Sequence, residues 1–383
     1  MKKYIIIAAA ALVAAAACSE VENKLETPED AISFKVVDYA TATRAGDNYS
    51  LIKEGIKQFT TYAWIHADGN ATGNAFMNAE VVKPDSETSP TEWAPSSRTY
   101  YWPKSAGTYI NFFSFAGTKL PASMATEGTV SFDNVTIATD DNILVADAAY
   151  RYTKNNNPAT YKMDGVKEGV PTLFHHMLSK VYFDVNLDAT GVTDTKYKFT
   201  VSITEAKVSY ANQGTLTLTF TDPASTGQAP FATEKGWVAG TTTGTLSGTA
   251  VTLTANGGAK YPAADAEKPY LALIDTSTVM PQVLSVTTEA TETAEATTTY
   301  PVTVSLKYTL KTQYNEDAGY TETIEVKDVP LAQFTPSITE WAMNYKYIYH
   351  ITINPVSGEK ILFDPAVVPW EEEKTASITV PVK

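Results

Sequence analysis

The sequence predicts a mostly β protein, and three observations lead to this fold class. Thr, Tyr and Val are abundant, and these residues favour strands over helices. Apolar residues recur at every second position in many short segments, which is the period of a strand with one buried face. These segments follow one another at the short spacing that is typical of a β-sandwich, and no sustained helical period appears.

The first element is a predicted signal peptide, residues 1–17. Two lysines precede an apolar run that ends in small residues and is too short to span a bilayer. Cys18, the only cysteine of the chain, follows this run directly. The pattern resembles a bacterial lipobox, in which the cysteine receives a diacylglycerol and becomes the acylated N-terminus, although Ala15 stands where Leu is usual. An ordinary signal peptide cut nearby is the alternative.

The next element is a short strand, predicted after a polar linker over residues 19–30. Ile32, Phe34 and Val36 alternate with Ser33 and Lys35, as in a half-buried strand. A small polar stretch follows over residues 40–47 and contains Arg44. Such a stretch predicts an exposed loop in which a protease can bind an extended backbone.

The body of the chain continues with short predicted strands. We place a domain boundary in the polar stretch 162–169, so that residues 45–169 and 170–383 form two domains. In the second part, Val302–Leu310 and Thr321–Val326 predict a long hairpin, and Tyr345–Ile353 alternates most regularly. The last predicted strand is Ser377–Lys383, with Ile378, Val380 and Val382 on one face. Pro381 removes one ladder donor and therefore predicts that the strand lies at an edge or is paired on one side at this residue.

Charge and motifs exclude several functions. The chain has 29 basic and 43 acidic residues, a formal net charge of −14, which argues against nucleic-acid binding. A single cysteine rules out an intrachain disulfide. We find no motif of a hydrolase, a P-loop or a dinucleotide site. We therefore predict no catalytic residue, no cofactor and no metal, and a protein that is not an enzyme.

Three other groups of residues are candidate sites. His175 and His176, together with His350, could suggest a metal site, but the spacing of ligands is wrong and packing is the better interpretation. Tyr100-Tyr101-Trp102 could offer a platform for sugars, but the pattern favours aromatic core by about three to one. Glu371-Glu372-Glu373 predicts a solvated loop.

Together these residues resemble the fimbrillin-like proteins, the pilin superfamily of the type V pili of anaerobic Gram-negative gut and oral bacteria. The resemblance covers nearly the whole mature chain. It rests on the order of several motifs: the lipobox at Cys18, the Thr-Arg-Ala-Gly loop at Arg44, Tyr100 to Pro103 followed by Tyr109 to Phe115, Asn142 to Ala146, Leu173 to Val185, Trp341 ahead of Tyr345 to Ile353, and Val367 to Trp370.

The resemblance implies two transthyretin-like β-sandwich domains in tandem and export as a lipoprotein to the outer membrane. It also implies that an Arg-specific extracellular protease cuts between Arg44 and Ala45. Segment 18–44, with the strand Ile32–Val37, would then be released. The vacated groove would accept a strand from a neighbouring subunit, here Ser377–Lys383, and so build an extracellular fimbrium that supports adhesion.

The partners implied are other pilus subunits, the maturation protease and, before the cut, the outer membrane. The sequence favours a stalk subunit over a tip subunit, because no additional adhesive domain is visible. Two alternatives remain open: an uncut, lipid-anchored fimbrial anchor subunit and a surface glycan-binding lipoprotein.

Overall fold

The computed structural model describes residues 30–37, 55–67, 70, 72–88, 90, 92–154, 169–223, 227–229, 231–263, 269–289, 295–335, 337–356 and 361–370. The predicted mostly β class is confirmed, because the described residues form strands throughout and one helix of four residues. The strands of the first half are β1 (Phe34–Val37), β2 (Phe59–His66), β3 (Asn74–Pro84), β4 (Trp93–Pro95), β5 (Tyr109–Gly117), β6 (Thr129–Thr136), β7 (Ile143–Ala146), β8 (Ala148–Tyr152) and β9 (Val170–His176).

The second half begins with β10 (Ser179–Asp188), β11 (Tyr197–Ala211), β12 (Gln213–Phe220), β13 (Gly227–Ala229), β14 (Phe231–Ala239), β15 (Thr243–Ser247), β16 (Val251–Asn256), β17 (Lys260–Tyr261) and β18 (Leu271–Val279). It continues with β19 (Gln282–Val283), β20 (Val286–Thr288), β21 (Thr297–Thr299), β22 (Thr303–Tyr314), β23 (Tyr320–Pro330), α1 (Leu331–Phe334), β24 (Glu340–Trp341), β25 (Tyr345–Ile353) and β26 (Ile361–Pro369).

The first sheet closes on itself. Its strands pair in the order β13-β8-β5-β2-β3-β4-β1-β9-β7, and β5 also pairs with β7. The strands from β5 round to β7 therefore form a ring in which every member has two neighbours. Closure removes the unpaired edges that an open sheet would expose. The ring encloses one apolar core, to which β1 and the residues before it contribute Ile32, Phe34 and Val36.

A small sheet, β14-β12-β6, covers the outer side of this ring. Leu216 and Leu218 of β12 pack with Phe113 and Phe115 of β5 in a second core. Trp370, at the end of β26, belongs to the same core. Residues from both halves of the sequence thus fill this second core.

The second half forms two further sheets that face each other. One has the order β17-β10-β25-β26 with β18 also on β10, and the other has the order β15-β11-β22-β23 with β16 also on β11. Their inner faces share a third core, which includes Phe183, Tyr308, Trp341 and Tyr349. This arrangement of two sheets around one core is that of a β-sandwich. The two tandem transthyretin-like domains stay a prediction.

Strand pairing crosses the predicted boundary at residue 169. β9, which begins at Val170, pairs with β1 and β7, and β12 pairs with β6. The predicted division of the chain therefore does not coincide with a break in hydrogen bonding. The physical reason is that pairing partners in these sheets are far apart in sequence, and composition marks only polar segments.

Candidate functional site

The first strand lies between two strands that are distant from it in sequence. β1 pairs with β9 in parallel, from Phe34 opposite Val170 to Val37 opposite Leu173. On its other side, it pairs with β4 at Phe34 opposite Trp93. Neither neighbour is joined to β1 by a hairpin: β9 is parallel to β1 and needs a crossover connection, and β2 and β3 lie between β1 and the antiparallel β4 in sequence. Removing β1 would open the ring at one place and leave the remaining chain continuous.

The inner face of β1 fills the centre of the ring. Ile32 and Phe34 are each 2% exposed, and Val36 is fully buried. The ring of Phe34 makes edge contacts with Phe59 and Phe112, both with centroids 5.5 Å apart. Burying the three apolar side chains contributes about 5–9 kcal/mol at 1.5–3 kcal/mol each. The predicted alternation of these three residues toward the core is confirmed.

The outer face of β1 differs from the prediction of a half-buried strand. Ser33 is 7% exposed and Lys35 is 4% exposed, so both faces are buried. Gly169 is one reason for this close fit. A Cβ atom at Gly169 would come within 2.9 Å of the carbonyl carbon of Phe34, so only glycine lets the backbone approach β1 this closely.

Backbone hydrogen bonds hold the segment that leads into β1. The Ile32 N–H donates to the carbonyl oxygen of Tyr100 at 2.8 Å, and the Trp102 N–H donates to the carbonyl oxygen of Asp30 at 2.9 Å. The Val170 N–H donates to the carbonyl oxygen of Ser33 at 2.8 Å. The aromatic run at residues 100–102 thus forms one wall of the β1 groove, which we define as the space between β4, β9 and this run.

The same aromatic run takes the packing role that the sequence favoured. Tyr100 is 7% exposed, and its hydroxyl donates to the Glu80 carboxylate at 3.2 Å. The ring of Trp102 packs edge-on against Phe112, with centroids 5.9 Å apart. These contacts place both rings against the core of the first sheet, where no open stacking face is left on Tyr100.

The three histidines considered as metal ligands have separate partners. His175 Nε2 lies 3.0 Å from Asp147, and His350 Nδ1 lies 2.7 Å from Asp184. His176 Nδ1 lies 3.0 Å from the Asn142 side-chain oxygen, and its ring stacks on Trp370 at 4.1 Å. Among the described residues, no group of three or more His, Cys, Asp or Glu side chains is arranged to hold a metal ion.

The remaining predicted site residues lie outside the described residues. These are the lipidation site Cys18, the cleavage site Arg44 and Ala45, and the donor residues Ile378, Val380 and Val382. They therefore stay predictions. Within the described ranges, the structure contains no helix that is long and apolar enough to cross a membrane.

Sequence reasoning missed a charged cluster beside the β1 groove. Lys154 forms an ion pair with Asp30, and Arg151 forms one with Asp222 at 2.8 Å. The partners are far apart in sequence, so no local motif marks them. The only local signal is that Arg151 and Lys154 lie close together in an acidic chain.

Comparison with known proteins gives relatives by structure alone. No model of a protein family matches the chain, and no curated protein matches it. A fimbrial protein from Bacteroides vulgatus is similar in structure with 16% identity and a TM-score of 0.49, covering 89% of this chain and 99% of that one. The tip fimbrial protein Mfa3 from Porphyromonas gingivalis has 12% identity and a TM-score of 0.32, covering 82% of this chain and 94% of that one.

Both structural neighbours are fimbrial proteins. The function proposed for this chain rests on its own residues.

Proposed function

We propose that this chain is a structural subunit, of the stalk type, of a cell-surface fimbrium that supports adhesion and has no enzymatic activity. In this proposal it is exported as a lipoprotein through Cys18, cut between Arg44 and Ala45, and polymerised by strand exchange. The observation that carries the proposal is the position of β1, a short apolar strand that completes a closed sheet without a hairpin to either neighbour.

The proposed cut falls between β1 and β2, at residues 44–45. After it, β1 would be held only by side-chain burial and backbone pairing. A groove that loses β1 exposes the edge of β9 and the apolar pockets of Phe34 and Val36. Unpaired strand edges and apolar pockets are the features that bind an added strand.

The three arginines of the chain support the choice of Arg44 as the cleavage site. Arg151 lies within β8, where its guanidinium contacts Tyr109 and Asp222. Arg98 is exposed, but its guanidinium stacks 4.4 Å from the centre of the Tyr100 ring. A protease needs an extended segment, and the predicted loop around Arg44 is the most suitable of the three.

The predicted donor strand matches β1 in its apolar spacing. Ile378, Val380 and Val382 recur at every second position, as Ile32, Phe34 and Val36 do. In an extended strand these three side chains point to one face. A strand from a neighbouring subunit would therefore fill the pockets that β1 leaves.

One observation favours the alternative of an uncut, lipid-anchored subunit or a glycan-binding lipoprotein. Both faces of β1 are buried, which is what a permanent strand of the fold requires. The two proposals differ in one respect that can be measured, namely whether a processed chain polymerises through its C-terminal segment.

The test uses the full chain, an Arg-specific protease and deletion of residues 377–383. The treated wild-type protein should form polymers that mild detergent leaves intact as ladders on a gel. The deletion should block polymerisation and barely lower the melting temperature, because the donor segment serves a neighbour. A variant with Arg44→Gln should also stay monomeric after treatment.

Substitutions on opposite faces of the segment provide a matched control. Replacing Ile378, Val380 and Val382 by serine should stop polymerisation, whereas replacing Ser377 and Thr379 by alanine should not. A large loss of stability on deletion would contradict the proposal, since removing a buried aliphatic side chain from a core costs roughly 1.5–3 kcal/mol. Dominant cutting at Arg98 or Arg151 would also contradict it.

A further inference from the structure

A basic pocket lies at the end of the β1 groove where β1 begins. It has a volume of about 550 Å³ and lies between the loop 103–109 and residues 151–154. Lys104, Arg151 and Lys154 all line it. Two of these cations pair with carboxylates of the chain, Arg151 with Asp222 and Lys154 with Asp30. A cleft lined by cations attracts anions, and an anionic ligand here would compete with these carboxylates.

Arg151 is held in place by an unusual backbone conformation. Its φ is +58°, in the left-handed region that a non-glycine residue seldom occupies. The Arg151 N–H donates to the side-chain oxygen of Asn111 at 2.7 Å, and Nη1 donates to the Tyr109 hydroxyl at 3.0 Å. Such conformations persist where the surroundings fix them, often at binding sites.

Lys154 is paired with a residue of the segment that leads into β1. Its ammonium group bonds to the Asp30 carboxylate, and the two side chains are 43% and 19% exposed. Asp30 belongs to the part of the chain that the proposed cut at Arg44 would release. Lys154, which lines the pocket, is therefore paired with a carboxylate that the mature subunit would lose in the proposed processing.

The lining of the pocket indicates the chemistry of its ligand. Ser105, Thr108 and Thr153 add hydroxyl groups beside the three cations. Tyr109 offers little aromatic surface, since it is 9% exposed and both His66 and Arg151 stack on its ring. A neutral sugar that binds mainly by stacking would find little here, whereas a charged sugar would find cations and hydroxyls.

We propose that the basic pocket binds a carboxylated sugar and that Asp30 competes with this ligand for Lys154. The coupling to maturation rests on the proposed function, because it requires release of Asp30. The binding site itself does not, because substituting Asp30 removes the competing carboxylate in the uncut chain.

The test measures binding of glucuronate to the full-length, uncut protein by calorimetry or NMR titration, with glucose as the neutral control. Asp30→Asn should tighten glucuronate binding roughly three- to fivefold, the scale of one partly exposed ion pair. Lys154→Gln should weaken binding by at least the same factor, alone and combined with Asp30→Asn. Lys57→Gln is the matched control, since Lys57 is an exposed lysine paired with Glu87 elsewhere.

Several outcomes would overturn this inference. Equal binding of glucose and glucuronate would show that the pocket does not recognise charge. Competition by inorganic sulfate as strong as that by glucuronate, at constant ionic strength, would show that the pocket does not recognise the sugar. An unchanged affinity in Asp30→Asn and Lys154→Gln, with melting temperatures near that of the wild type, would exclude Lys154. A failure of Arg44 cleavage would contradict the proposed function and leave these binding results unaffected.

Discussion

At the scale of single residues, no side chain of residues 32–36 extends into solvent. Ser33 and Lys35 on the outer face of β1 are buried along with the apolar residues on its inner face. In the proposed exchange, Thr379 and Pro381 would take the outer positions. Neither is charged, so the incoming strand would place no ammonium group at these buried positions.

A buried carboxyl group in the second half predicts how stability responds to pH. Asp184 is 5% exposed. Burial raises its pKa, and the hydrogen bond and charge of His350 oppose this only in part. The charged form is therefore unfavourable in the fold. The contribution of Asp184 to stability should therefore rise as pH falls from neutral through its raised pKa, and this gain should end near the ordinary value of the unfolded chain.

The variant Asp184→Asn tests the direction of this pH dependence. It removes the buried charge and keeps an oxygen that can accept from His350 Nδ1. At pH 7, the free energy of unfolding in urea should increase, and the difference from the wild type should shrink as pH falls. A variant less stable than the wild type at pH 7 would contradict the assignment.

Asp188→Asn is the control with the opposite sign. Burial raises the pKa of Asp188, but hydrogen bonds from Lys260 and Thr190 outweigh it and lower the pKa below its usual value. The stabilising contribution of Asp188 is therefore present above the ordinary pKa and is lost as pH falls through the lowered one. This variant should be less stable than the wild type at pH 7.

At the scale of elements, the β1 groove should accept strands supplied as peptides. A chain that begins at Ala45 should unfold at a lower temperature than the uncut protein, because the ring is open. A peptide of residues 377–383 should raise this temperature in a concentration-dependent manner, as a ligand of the folded state does. The same peptide with serine at 378, 380 and 382 should have no effect. Equal stabilisation by both peptides would contradict the proposed pockets.

Some elements could be predicted from the sequence because their alternation is unbroken. β25 has the bounds that its pattern predicts, Tyr345–Ile353, and the long hairpin is formed by β22 and β23. Others could not, because bulges interrupt the period of two. Residue 79 in β3 and Arg151 in β8 have positive φ, and both strands pair with shifts in register. β11 is likewise interrupted by a register shift after Ile203.

The candidate site was predictable only in part. Ile32, Phe34 and Val36 form a local alternating pattern that can be recognised in the sequence, and their side chains lie in the core as the pattern predicts. The strands that pair with β1 cannot be predicted from the sequence, because β4 and β9 are remote from it and no turn joins either of them to β1. The ion pair of Lys154 with Asp30 cannot be predicted from the sequence for the same reason, because its two residues are far apart in the chain.

At the scale of the whole molecule, the two halves share a packed interior. The ring of Trp370 stacks on His176 and lies 4.2 Å from the Lys180 ammonium group. The backbone N–H of Trp370 donates to the carbonyl oxygen of Asn344 at 3.1 Å. This packing fixes the end of β26 beside the end of β9. In the proposed polymer, the chain that leads to the donor segment would therefore start at a residue that is packed in the core.

The most direct test of strand exchange is the N-terminal residue of the protein in fimbriae isolated from intact cells. Sequencing or mass spectrometry of the assembled subunit should find Ala45, without an acyl chain, because the proposed cut removes β1 before a neighbour's strand replaces it. An assembled subunit that begins at an acylated Cys18 would still contain β1. That result would contradict the account.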